Sequence, residues 1–130
     1  VWLPPALAGG PVERFLRFHC SAAPAERPEA AAFALGRWDD LAPAAEALPR
    51  GDAAYPDRSA TLILIADRLD ADAGPVLSGP GVEAPRRLDA GLPPAFWALR
   101  AADPFPFGRD AILCAGDRVA ALPRTTRAEI

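Results

Sequence analysis

The chain has 130 residues, with 14 basic and 17 acidic side chains and a net charge of −3. That length suits one domain with a real core and is too short for two. The acidic balance excludes a generic basic nucleic-acid clamp, which needs a positive surplus.

All 14 basic residues are Arg, while Lys, Met, Asn and Gln are absent and Ala fills 30 positions. The Arg and Ala excess reads as coding bias. The missing Lys has chemical force: it excludes an internal Schiff base to a carbonyl cofactor and the lysine of a phosphate-binding Gly-rich loop. The missing Met points to a processed form or a fragment, with a fragment the expectation. Leu, Ile, Val and Phe supply 30 residues, above the share found in disordered chains, so the chain should fold. The longest strongly apolar stretch, Ala60 to Ala66, is far short of the roughly 20 residues of a membrane helix. The start, Val1-Trp2-Leu3-Pro4-Pro5, has no basic n-region and no apolar h-region, so it is not an intact secretory signal. Cys20 and Cys114 form no CxxC pair, and a reduced, cytoplasmic protein is the expectation.

In chain order, Val12, Phe15, Leu16 and His19 fall at helical spacing, with Pro11 suited to the first turn. Ala31 to Leu35 is a short apolar run that reads as a buried strand or a helix end. Asp40 to Leu48 reads as a helix capped by Asp40, with Leu41, Ala45 and Leu48 on one face and Pro49 and Gly51 as the stop. Ser59 to Asp67 is the clearest strand; its Leu62-Ile63-Leu64-Ile65 run predicts a central strand covered on both faces. Pro75 to Ser78 reads as a shorter strand, closed by a turn at Gly79-Pro80-Gly81. Pro93-Pro94 opens a helix to about Ala102, carrying Phe96, Trp97 and Leu99. Asp110 to Cys114 and Val119 to Leu122 form a β-hairpin joined by Ala115-Gly116-Asp117. No repeat or heptad is present. The order of elements predicts a single layered α/β domain with a mixed central sheet, and sheet elements before residue 1 are allowed for.

Few residues could carry chemistry. His19 is the only histidine, so imidazole acid–base chemistry must use it; the alternative is a helix-terminal histidine bonded to a last-turn carbonyl. One His and two distant Cys offer no zinc spacing. Asp39-Asp40, Asp67 and Asp110 could hold Mg²⁺ beside a phosphate, or serve as caps and solvated loop residues. Gly79-Pro80-Gly81 lacks the GxGxxG pattern and reads first as a turn. In Pro123-Arg124-Thr125-Thr126-Arg127, two guanidiniums flank two hydroxyls, a set suited to phosphate or carboxylate oxygens. Strand alternation puts Arg124 and Thr126 on one face and Thr125 and Arg127 on the other; a solvated edge strand explains the same residues. Phe105-Pro106-Phe107-Gly108 reads as an ordered loop whose rings are core anchors or an interface patch.

An ordered set of segments resembles the PhnH family of the bacterial phosphonate carbon–phosphorus lyase system. It runs through Val1-Trp2-Leu3, Leu16-Arg17-Phe18-His19 and Ala32-Phe33-Ala34-Leu35. It continues with Tyr55-Pro56-Asp57-Arg58-Ser59-Ala60-Thr61-Leu62, Ser78-Gly79-Pro80-Gly81-Val82 and Phe96-Trp97. It ends with Phe105-Pro106-Phe107-Gly108-Arg109-Asp110 and Ala121-Leu122-Pro123-Arg124-Thr125-Thr126. Cys20-Ser21 departs from the family's usual Thr-Gly after His19, and the family carries an N-terminal portion lacking here. The resemblance implies that residues 1–130 are one PhnH-like domain similar to the large domain of pyridoxal-phosphate-dependent transferases, without that cofactor. It implies a homodimer and partners of the PhnG, PhnI and PhnJ type, with no nucleic acid and no membrane. It implies an early step joining a phosphonate to a ribose triphosphate by displacing adenine from ATP. The later radical iron–sulfur cleavage cannot reside here, since two distant cysteines do not ligate a cluster. Two functional classes follow. One is a required subunit without catalysis of its own, a scaffold with or without a ligand site. The other is an enzyme subunit with Arg17 and His19 as catalytic candidates. Arg124, Thr125 and Thr126 are the anion-binding candidates in either.

Overall fold

The structure is a computed structural model and describes residues 1–130. Its elements are α1 (Pro11–Cys20), β1 (Phe33–Gly36), α2 (Trp38–Leu41), β2 (Thr61–Ile65), β3 (Val76–Ser78), β4 (Arg86–Arg87), α3 (Pro94–Ala101), β5 (Asp110–Ala115), β6 (Arg118–Leu122) and β7 (Arg127–Glu129). Short 3₁₀ turns occupy Pro28–Ala30 and Ala42–Ala47. No helix is long and apolar enough to cross a membrane.

The expected α/β class and mixed sheet are present. A four-stranded sheet runs β1-β2-β5-β6, parallel from β1 to β5 and antiparallel at β6. Trp2 adds a parallel bridge to Ala34 at the β1 edge. The sequence reading did not foresee a second, antiparallel sheet of order β4-β3-β7.

Alternation along β2 decides where the core lies. Leu62 and Leu64 are fully buried, as are Ala34, Ala111 and Leu113 at the same level of the neighbouring strands. Against this face pack Trp38 and Leu41 from α2 and Phe96 and Trp97 from α3, in one cluster. The Trp38 and Phe96 rings meet edge to face at 5.2 Å. Each such buried Leu or Phe contributes about 1.5–3 kcal/mol through area removed from water. The other face of β2 is not covered as expected: Thr61 and Ile63 are half-buried and Ile65 is 41% exposed.

Other differences have local causes. The helix foreseen from Asp40 begins at Trp38, with Arg37 as its N-cap and Asp39 and Asp40 in the first turn. There the two carboxylates favour the positive end of the peptide dipoles. The helix tightens into a 3₁₀ turn at Ala42 because Pro43 has no N–H for an α-helical bond and its ring clashes with the carbonyl four residues back. Leu41, Ala45 and Leu48 still bury together. Residues 123–126 form a turn rather than an edge strand, closed by the Thr126 N–H on the Pro123 carbonyl at 2.9 Å. Pro123 has no N–H with which to extend the ladder. The hairpin of β5 and β6 turns at Gly116-Asp117, where Gly116 has φ +59. The helix α1 forms as expected but buries none of its residues.

Candidate functional site

A cleft of about 710 Å³ opens between the turn after β3, the C-terminal end of α3 and the Pro123–Arg127 turn. It brings together three segments singled out in the sequence: Gly79-Pro80, Phe105 and Arg124-Thr125-Thr126-Arg127. Two glycines set its walls. A Cβ on Gly79 would stand 2.8 Å from the Thr125 carbonyl oxygen, and the residue has φ +142. Gly108, at φ +128, lies against the Arg124 side chain, where a Cβ would come within 3.2 Å. Both positions need a residue without a side chain so that the turns can close on each other.

Charge inside the cleft is unevenly satisfied. Arg124 is largely spoken for: Asp110 accepts its backbone N–H at 2.7 Å and its Nη2 at 2.9 Å, and the Pro56 carbonyl accepts its Nη1. It therefore ties the Tyr55-Pro56 loop to the start of β5 and has little capacity left for a ligand. Arg100, on the last turn of α3, differs. It donates to the Arg109 carbonyl at 2.9 Å and the Pro123 carbonyl at 2.6 Å, and to no carboxylate. Burial pulls its pKa down to about 10, and Asp110 offsets this only in part. It remains a cation at neutral pH. Arg127 is exposed at the mouth, and Thr125 and Thr126 are half-buried beside it. Phe105 stands 73% exposed on the rim, while Trp97 lies buried in the wall. Phe105 is thus not a core anchor.

At the cleft wall, Asp103 pairs with Arg109 at 2.7 Å, and both side chains are 5% exposed. Arg109 also donates to the Glu46 and Leu48 carbonyls. Burial holds its pKa below the ordinary arginine value despite Asp103. The pair is a structural pin between α3, β5 and the 3₁₀ turn.

Arg17 and His19 are not part of this cleft. Both are exposed on α1, where Arg17 lies 3.8 Å from Glu13. The His19 ring packs on Phe15 at 4.4 Å and edge-on to Phe18 at 4.9 Å, in place of the expected carbonyl bond. Of the carboxylates weighed as Mg²⁺ ligands, Asp67 pairs with Arg37 at 2.7 Å and Asp110 with Arg124. Arg100 was missed in the sequence. Its signal was the four-residue spacing from Phe96, which aims an arginine to the same side as a core phenylalanine.

The fold and site define a small α/β protein with a cleft lined by Arg100, Arg124, Thr125, Thr126 and Arg127 and by the Asp103 carboxylate. The sequence matches the family described as bacterial phosphonate metabolism protein (PhnH) over residues 1–129. The chain belongs to that family. It is 34% identical over 136 residues to a Rhizobium meliloti (strain 1021) protein named alpha-D-ribose 1-methylphosphonate 5-triphosphate synthase subunit PhnH, a match covering 99% of this chain. It is 37% identical over 102 residues, 75% of this chain, to a Stutzerimonas stutzeri protein named putative C-P lyase subunit protein HtxG. The matches span 66% of the first relative and 51% of the second.

Proposed function

We propose that this chain is a subunit domain of a carbon–phosphorus lyase core complex, supporting formation of a ribose 1-phosphonate 5-triphosphate from ATP and an alkylphosphonate. Its cleft holds a phosphate- or phosphonate-bearing anion, with Arg127, Thr125 and Thr126 reaching the oxygens and Arg100, which bonds no carboxylate, supplying positive charge behind them. The observation that carries this reading is Arg100: a half-buried guanidinium lining a cleft, hydrogen-bonded only to carbonyls. Arg124 positions the turn through Asp110 and Pro56. The names of the relatives support the phosphonate setting.

In this reading residues 1–130 act as one domain, similar to the large domain of pyridoxal-phosphate-dependent transferases but working without that cofactor. The subunit is cytoplasmic, forms a homodimer and assembles with partners of the PhnG, PhnI and PhnJ type. It contributes binding rather than bond-breaking of its own. Arg17 and His19 stay candidates only for a step completed by a partner, since both lie outside the cleft.

The test is calorimetric titration of the chain with inorganic pyrophosphate and with methylphosphonate, at fixed ionic strength. Binding that falls at least about 10-fold in a Thr125→Val, Arg127→Ala variant supports the cleft, since each charge-assisted bond is worth roughly 1.5–3 kcal/mol. Equal binding by both proteins, or none by either, overturns it. Size exclusion with purified PhnG- and PhnI-type subunits tests the assembly: separate elution of folded chains would count against it.

A further inference from the structure

The cleft encloses more space than a small anion fills. Its volume is about 710 Å³, within the range of sites that hold a whole organic ligand. Methylphosphonate has about five heavy atoms and displaces roughly 150 Å³ at one water volume each. On one side, the turn from Thr125 to Arg127 supplies hydroxyls and a guanidinium. The wall formed by α3 and the segment after it is different. Trp97, Ala101 and Phe105 line it at four-residue intervals, and the first two share a face of α3. Asp103 also lines this wall, but Arg109 at 2.7 Å and Arg50 at 3.3 Å both hold its carboxylate. Beyond the anion-binding turn, the cleft is therefore bounded by apolar surface and a paired acid.

Phe105 ends this wall. Its ring is 73% exposed, apolar surface that folding leaves in water. The exposed rings of Phe15, Phe18 and Tyr55 have companions: the first two flank His19 at 4.4 and 4.9 Å, and the Arg58 guanidinium sits 3.7 Å from the centre of the Tyr55 ring. Phe105 has no ring or guanidinium on either face. Its backbone is nonetheless held. Pro104 and Pro106 on either side restrict the chain. The Phe107 N–H donates to the Pro104 carbonyl at 3.0 Å, and the Gly108 N–H to the Arg50 carbonyl at 2.9 Å. Asp103 and Arg109, on the two sides of this loop, are joined to each other. A held, uncovered ring at the mouth of a charged cleft is a preorganised stacking surface, because little further ordering is needed when a ligand covers it. Across the cleft lie Thr125, Thr126 and Arg127, rather than a contiguous apolar patch of the kind that anchors a protein partner.

We propose that Phe105 is the specificity-determining residue of the cleft, stacking on a flat aromatic ring carried by the bound phosphate or phosphonate. This rests on the anion-binding reading and narrows it. The ligand class is a phosphoryl anion with an aromatic ring attached, either a nucleoside phosphate or an arylphosphonate; smaller anions occupy the Thr125–Arg127 turn alone. Hydrocarbon and heterocyclic rings both have the π face that stacking on a phenylalanine needs.

The experiment is calorimetric titration of the chain with two matched pairs of probes, at fixed ionic strength and above the second ionisation of every probe. AMP and ribose 5-phosphate differ by the base; phenylphosphonate and methylphosphonate differ by the ring. Because Phe105 is exposed, Phe105→Ala is expected to keep the parent's melting temperature. The proposal expects the ring-bearing member of at least one pair to bind about 5- to 150-fold tighter, the range of base-on-aromatic stacking. Phe105→Ala removes that advantage and leaves the ringless members bound as before, while Phe105→Trp keeps it. An advantage confined to AMP assigns the ring to a nucleoside, one confined to phenylphosphonate assigns it to an arylphosphonate, and both together assign selection to the ring itself. Equal affinities within both pairs, with all four probes bound, overturn the proposal and leave the anion-binding reading standing. An advantage that survives in Phe105→Ala also overturns it, because the ring then rests elsewhere. Binding of none of the probes removes the anion-binding reading, and this proposal with it.

Discussion

Asp103 is the residue on which the most depends. Its side chain is buried, it accepts Arg109 at 2.7 Å and Arg50 at 3.3 Å, and Arg109 in turn holds the Glu46 and Leu48 carbonyls at the end of the 3₁₀ turn. Removing it leaves a guanidinium in the interior without a counter-charge. Asp103→Ala is expected to destabilise the fold by about 3–5 kcal/mol, read from urea denaturation. Asp89 behaves differently because it is on the surface. Its carboxylate accepts the Gly91 N–H and then pairs with Arg68, and both hold its pKa below the usual carboxylate value. A depressed carboxylate stabilises the fold at pH above its unfolded value near 4, and that contribution disappears as pH falls through the folded value. The urea midpoints of the parent and Asp89→Asn should therefore differ at pH 6 and converge by pH 2. A gap that stays constant between those pH values would show that the charge is not the source.

Among the elements, the turn after β3 governs the cleft. Gly79→Ala puts a methyl group 2.8 Å from the Thr125 carbonyl at φ +142. It is expected to cost about 1–3 kcal/mol and to weaken pyrophosphate binding along with stability; unchanged binding in a folded variant would separate the two turns functionally. The same region shows what can be read from residues in order. α1, β2, α3 and the β5–β6 hairpin were legible because each declares itself locally, through helical spacing, an apolar run, a proline at a first turn or a Gly-Asp turn. The second sheet was not: Arg86–Arg87 and Arg127–Glu129 are as polar as any solvated loop, and only their pairing with β3 across long separations makes them strands. Thr125 and Thr126 were legible as cleft residues. The neutralising of Arg124 was not, because its carboxylate lies 14 residues away at the start of another strand.

For the molecule as a whole, a cation that Asp110 offsets only in part means that a bound anion should stabilise the fold. Arg100 carries its charge at neutral pH at a desolvation cost, with its pKa pulled down to about 10. Because the folded value lies below the unfolded one, that cost is present below pH 10 and is relieved only as pH rises above it. A ligand that supplies the missing negative charge removes it earlier. Pyrophosphate at ten times its dissociation constant should add about 1.4 kcal/mol, visible as a rise in melting temperature beyond that from sodium chloride of equal ionic strength. Arg100→Met should abolish the increment relative to its own baseline.

The winding of the sheet bears on where such a ligand can sit. Open α/β sheets commonly receive ligands beyond the carboxyl ends of their strands, where the strand order reverses and helix N-termini offer free N–H groups. Here the order never reverses, and the cleft lies at the opposite rim, beside the start of β5 and the carbonyl end of α3. That end of a helix repels anions. An anion bound at this rim, as proposed, would be held by guanidinium and hydroxyl side chains rather than by backbone, which would make its binding tunable by single substitutions and steeply sensitive to ionic strength.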